Sequence, residues 1–281
     1  MSIYSKMTAI ADAIREKTGG TNPLTLDAMA EAIAGIEAGA AGEDSILDNL
    51  LTRTPVDVYS EIESVGQQVF RYNPSIVSVN LPNCTTIGYE AFSDCSNLVQ
   101  ASVPKTIILG QRAFRYCSKL ESINIPLVTQ FQAGALQGTK IAQIPNMGNV
   151  TAIGNAAFHS CPLIEVNVPS ITQIDDYAFY GCSNLTRADM GEGFLHGRGD
   201  LANMTFGNCT ALETVIVRCT GVLAMQSVGA LANTPIANGT GYIYVPRALV
   251  DSYKVATNWA TYASQIRAIE DYPEICGEVS A

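Results

Sequence analysis

The stretch Ala91-Phe92-Ser93-Asp94-Cys95-Ser96-Asn97-Leu98-Val99-Gln100-Ala101-Ser102-Val103-Pro104 returns 22 residues later as Ala113-Phe114-Arg115-Tyr116-Cys117-Ser118-Lys119-Leu120-Glu121-Ser122-Ile123-Asn124-Ile125-Pro126, and this return decides the fold. The same small-then-apolar pair occurs as Val69-Phe70, Ala135-Leu136, Ala157-Phe158, Ala178-Phe179, Thr205-Phe206 and Ala230-Leu231, so the full series advances by 22, 22, 22, 22, 21, 27 and 25 residues. Three residues after the aromatic stands Cys95, Cys117, Thr139, Cys161, Cys182 or Cys209, and beyond it a leucine such as Leu98, Leu120, Leu185 or Leu212. A fixed period with coupled columns is the mark of a solenoid, in which one supersecondary unit recurs.

After the leucine, each unit alternates apolar and polar residues up to a proline: Val79-Asn80-Leu81-Pro82, Ala101-Ser102-Val103-Pro104, Ile123-Asn124-Ile125-Pro126, Ala142-Gln143-Ile144-Pro145 and Val166-Asn167-Val168-Pro169. Alternation predicts a short strand with one face inward, and proline, having no N–H to donate, ends it. A turn, an apolar anchor (Ile87, Ile153, Ile174) and a short helical or irregular return complete the unit. One unit cannot bury its own apolar face, whereas stacked units merge their columns into one core. Eight parallel rungs ~4.8 Å apart predict a sheet about 40 Å wide. Val79, Ala101, Ile123, Ala142, Val166, Ala188, Val215 and Ile243 line its inner face.

These columns resemble the BspA-like leucine-rich repeats, whose unit reads I-x-x-x-A-F-x-x-C-x-x-L-x-x-[IV]-x-[IVL]-P, and the resemblance covers residues 61 to 246. It implies an α/β repeat solenoid of short parallel strands. Leu136 and Thr139 depart from the pattern, and the units after Phe179 and Phe206 are lengthened. Tyr242-Ile243-Tyr244-Val245-Pro246, with Leu249, Tyr253, Trp259 and Ile266 after it, is similar to the helical end segment of such proteins. Residues 247–281 are therefore expected to form a C-terminal helical cap and tail over the last rung.

Ahead of the repeats, Ile3, Met7, Ile10 and Ile14 recur at helical spacing up to Gly19-Gly20. Thr25 as N-cap opens a second helix with Leu26, Met29, Ile33 and Ile36 on one stripe. The expected division is a helical hairpin docking module over 1–37, a linker and N-terminal cap over 38–60, the solenoid over 61–246 and the cap over 247–281. The hairpin sequence resembles one found on phage and prophage tail-associated proteins of Gram-positive gut bacteria. That resemblance implies docking through residues 1–37 to other tail subunits or to identical copies.

Composition narrows the function classes. Net charge is -10, yet residues 64–246 hold 10 acidic and 9 basic side chains, without the basic cluster that nucleic acid requires. No apolar run reaches the ~18 residues of a membrane span. The opening segment meets Asp12 before any apolar run of signal-peptide length, so no Sec export signal is expected. The column cysteines lack C-x-x-C spacing and are expected to be buried free thiols, with no metal and no cofactor. His159 and His196 each stand alone in sequence, and no nucleophile elbow or phosphate loop is present, so no catalytic residue is assigned.

Alternation places one residue set on the outward strand face, and Asn80, Ser102, Asn124, Gln143, Asn167, Asp189, Ile216, Tyr242 and Tyr244 are its candidate binding residues. The surface is expected to be strongest near Ile216, Tyr242 and Tyr244, where apolar and aromatic groups gather. A glycine-rich extension carrying His196, Arg198 and Asp200 is the second candidate. The expected role is non-enzymatic: a tail-associated recognition protein presenting the repeats to a protein or glycan receptor, located in the virion or in the cytoplasm before assembly. The rival expectation is an extracellular, cell-surface adhesin of the BspA type that binds host matrix proteins.

Overall fold

The computed structural model describes residues 56–144, 146–192 and 200–276. The hairpin expected at 1–37 lies outside the described residues. The strands after each leucine form two parallel sheets. One holds Val56–Tyr59, Ile76–Asn80, Gln100–Ser102 and Ser122–Asn124, and the other Glu165–Val168, Arg187–Met190, Thr214–Val217, Tyr242–Val245 and Ile266–Ala268. The ladder thus starts at Val56, inside the stretch expected to be linker, and runs on to Ala268, past the expected boundary at 246.

The single eight-rung sheet expected from the sequence is divided at Ala142-Gln143-Ile144, which forms no strand. Backbone pairing explains why: Ile164 N donates to the Ala142 carbonyl, just as Val99 N donates to Val77, so Ile141 occupies the leucine column and is fully buried. Ile141 therefore points inward, while Ala142 and Ile144, expected in the core, are only half-buried. From the leucine column to the proline is six residues in Leu98–Pro104, Leu120–Pro126 and Leu163–Pro169, but four in Ile141–Pro145. A proline two residues early falls within the rung, where the ladder needs a donor. The turn Met147–Asn149 then restores the spacing to the next anchor.

The anchors build a second ladder that periodicity did not reveal. Ser64–Val65, Thr86–Ile87, Ile108–Leu109, Gln130–Phe131, Ala152–Ile153 and Gln173–Ile174 pair in parallel, and Asp200–Leu201 pairs with Ala224–Met225. The return arcs are series of turns, with a 3-10 turn at Val228–Leu231 in the last, and they make a third set of inter-unit bonds. The N–H groups of Glu90, Phe92 and Asp94 donate to the carbonyls of Gln111, Ala113 and Arg115 at 2.9, 2.8 and 2.7 Å, and the pattern recurs up the stack. Residues before the pair and before the cysteine take positive φ, as at Glu90 (53°) and Asp94 (62°), a conformation that non-glycine residues seldom adopt. Those two bends aim alternate N–H groups along the stack.

The phenylalanine column stacks face to face: Phe70 on Phe92 and Phe92 on Phe114 at 5.1 Å, then Phe158 on Phe179 and Phe179 on Phe206 at 5.4 Å. Between the two runs, Leu136 is smaller than its neighbours in the column, and the anchor of the same unit is enlarged to Phe131, whose ring lies 4.7 Å from that of Phe158. Swapping size between two adjacent columns conserves core volume, the substitution pattern that close packing tolerates best.

Past Val245 the chain does not form one capping helix. A short helix Val250–Val255 and a 3-10 segment Trp259–Gln265 close the last unit, and the strand Ile266–Ala268 then joins the sheet. Trp259 Nε1–H donates to the Leu223 carbonyl at 2.6 Å, and the buried Tyr253 and Trp259 rings meet edge to face at 5.1 Å. No helix among the described residues is long and apolar enough to cross a membrane.

Candidate functional site

Within each sheet, in-register pairing lines the outward positions up in two columns. In the first sheet Asn80, Ser102 and Asn124 lie side by side, as do Ser78, Gln100 and Ser122. In the second sheet the first column continues as Asn167, Asp189, Ile216 and Tyr244. One column therefore carries most of the candidate residues, but its character changes along the stack.

At the N-terminal end the face is open and polar. Asn80, Asn124, Gln143 and Asn167 are exposed, Ser102 is half-buried, and Gln100, Ser122 and Glu165 extend the surface. Asn124 Nδ2 donates to Ser102 Oγ at 3.1 Å. The side chains of Asn80, Gln100, Ser122, Gln143 and Asn167 have no hydrogen-bond partner among the described residues. Each amide keeps two donors and a carbonyl oxygen available.

At the C-terminal end the face is covered by the protein itself. Asp189 is 4% exposed and is held by Arg187 at 2.7 Å and by both Nε and Nη2 of Arg218 at 2.8 Å. Ile216 (0%) and Tyr244 (2%) are buried with Ile269, and Tyr242 and Tyr272 pack against them. Arg267 sits over the Tyr242 ring at 3.5 Å and donates to Tyr272 Oη at 2.7 Å. The aromatic patch expected to be the strongest binding surface is therefore occupied by residues 266–272 of the same chain. Tyr242 alone in that group remains half-exposed.

The cysteine column is structural. Cys95, Cys117, Cys161, Cys182 and Cys209 are buried free thiols, and each donates to a backbone carbonyl of the preceding unit, as Cys117 does to Phe92 at 3.0 Å. Burial pushes the Cys161 thiol up to about 11, so it is no nucleophile at neutral pH. A carbonyl one unit away at a constant height asks for a small, weak donor, which accounts for the residue type in this column.

On the return arc, Glu90 is a further buried polar group that the sequence did not single out. Arg71 (2.7 Å) and Arg112 (3.2 Å) pair with it, and Gln68 Nε2 donates to it at 2.9 Å. Burial alone would raise the carboxyl, but these partners outweigh it and hold Glu90 below the usual carboxylate range. Three consecutive units are thereby tied by one side chain.

Residues 47–165 and 135–238 match the BspA type leucine rich repeat region in six copies. The chain belongs to the BspA-type leucine-rich repeat family. Among solved structures, this BspA-type protein is similar to a leucine rich cell surface protein from Faecalibacterium prausnitzii A2-165 (18% identity, TM-score 0.38, 74% of this chain and 69% of that one). It is also similar to a leucine-rich repeat protein from Bacteroides ovatus (22%, 0.44, 67% and 55%). A third is the pneumococcal vaccine antigen PcpA (11%, 0.37, 66% and 60%). No curated protein sequence matches the chain.

Elsewhere on this BspA-type array, His159 is half-buried, its Nδ1 lies 2.9 Å from Ser160 Oγ, and its ring is 5.1 Å from that of Tyr180. Burial lowers its pKa. His196 and Arg198 lie outside the described residues, and Asp200 is described only as backbone, paired with Ala224. Among the described residues no group of three or more His, Cys, Asp or Glu side chains could hold a metal ion.

Proposed function

We propose that this chain is a non-enzymatic recognition module of the cell-surface kind, which meets a host-matrix protein or glycan on the open half of its outward strand face. The observation that carries this reading is the pair of neighbouring columns Asn80, Ser102, Asn124 and Ser78, Gln100, Ser122, held in register by parallel pairing, in which the exposed side chains of Asn80, Gln100 and Ser122 have no hydrogen-bond partner among the described residues. Rigid presentation lowers the ordering cost of binding. The covered half supports the reading by contrast, since its polar groups are already saturated by Arg187, Arg218 and Arg267.

The test is binding of the full chain to immobilised host extracellular matrix, with Ser102→Arg and Asn124→Arg placed together to obstruct the open half. The expected result is loss of binding with an unchanged thermal midpoint; full binding by the obstructed variant would sink the proposal. The tail-associated reading rests on residues 1–37 alone. It predicts that their deletion abolishes co-assembly with tail particles, and recovery of the protein from cell envelopes in a phage-free culture would oppose it.

A further inference from the structure

We infer that the ligand of the open half-face is an uncharged, extended glycan; this rests on the proposed role of that face and specifies its ligand. Four features of this face converge on that chemistry. First, the face is neutral across its middle: Ser78, Asn80, Gln100, Ser102, Ser122, Asn124, Gln143 and Asn167 carry no charge, and Asp57 and Glu165 are the acidic residues beside them. A neutral grid on a chain of net charge -10 offers nothing to a polyanion and repels it at long range.

Second, the grid lacks the anchors of a protein interface. Tight protein contacts concentrate their free energy in buried Trp, Tyr or Arg side chains seated in pockets. Here the exposed aromatic is Tyr59, at the edge of the first sheet and already hydrogen-bonded to Glu61 at 2.6 Å. The aromatic-rich end of the face, which would have suited a protein, is filled by Ile269 and Tyr272.

Third, side-chain amides and hydroxyls both donate and accept, and so match the mixed donor–acceptor character of sugar hydroxyls. Fourth, the chemistry repeats at the rung spacing of ~4.8 Å. That spacing is comparable with the length of one pyranose, so a polysaccharide lying along the stack meets equivalent partners at successive sugars. Asn80, Ser102 and Asn124 form such a row, and Gln100 and Ser122 form the parallel one.

The experiment is affinity electrophoresis and calorimetry of the full chain against laminarin, yeast mannan and heparin, at low and at high salt. A neutral polysaccharide is expected to bind, with affinity that barely changes with salt, while heparin does not. Gln100→Ala and Asn124→Ala are each expected to weaken binding about three- to tenfold, one hydrogen bond's worth, and Arg115→Ala on the return arc is expected to leave it unchanged. Both alanines sit at exposed positions, and a shared thermal midpoint will show that the variants fold. If neither neutral polysaccharide binds, but matrix protein still binds and is still blocked by Asn124→Arg, the glycan assignment falls and the face survives. If laminarin or mannan binds equally to wild type and to both alanine variants, the glycan site lies elsewhere and this inference is wrong.

Discussion

The two ends of the outward strand face are built on the same ladder and solve opposite problems. Asn80, Ser102 and Asn124 occupy the same column as Ile216 and Tyr244, yet the first three meet solvent and the last two meet Ile269 and Tyr272. Backbone register therefore does not decide exposure. What decides it is whether another segment of chain reaches that rung, and residues 266–272 reach only the last few. The change falls inside the second sheet, between the exposed Asn167 and the buried Asp189, and not at the irregular unit holding Phe131, Leu136, Ile141 and the early proline, where the sheet is divided.

The covered half depends most on Tyr244. Truncation to alanine is expected to cost about 3–5 kcal/mol, the range for large aromatics in a packed site, and to expose Ile216, as read by a lower denaturant midpoint and increased dye binding. If Tyr244→Ala is as mild as a surface change, the covered half is not packed as described. Next in size is Leu136→Phe at the junction, which is expected to cost about 1–3 kcal/mol by overpacking. Adding Phe131→Ile should recover most of that loss, and a double-mutant cycle on the chemical denaturation midpoint reads the coupling.

A smaller effect tests the ion cluster on the open half's own units. Because its partners hold Glu90 low when folded, its stabilisation is complete above the unfolded carboxylate value of ~4.3 and fades as the pH falls through and below that value. Glu90→Gln is expected to lose about 1–2 kcal/mol near neutrality and to show a shallower decline between pH 5 and pH 3 than the wild type. An identical acid profile would mean that the carboxylate bears no part of the acid sensitivity. Smallest of all, Asn124→Ala is expected to change stability by less than about 0.5 kcal/mol, the counterpart of Tyr244 in the same column.

The columns Phe92, Phe114, Phe158 and Phe179 were legible because burial in a stack imposes the same residue type at the same height in each unit. The cysteines were legible as buried thiols for the same reason. The two-residue anchor ladder and the turns at Glu90 and Asp94 were not, since a two-residue strand leaves no alternation to read and positive φ has no fixed residue type here. The inward expectation for Ala142 and Ile144 failed because the proline, the register mark, is shifted relative to the leucine column, which Ile141 occupies. The cover over Ile216 and Tyr244 was unreadable for a different cause: it depends on where a distant segment comes to rest, and strand periodicity is silent on that.

The bonds between neighbouring return arcs carry one more implication. From the Phe70 arc to the Phe179 arc each turn presents three donors to three acceptors of the next arc at matching heights, and the Phe206 arc presents two, so the regular units offer one another the same socket. An array assembled from such interchangeable sockets can grow or shrink by whole copies without redesigning its interior, and the length of the outward polar row becomes something that gene duplication sets directly.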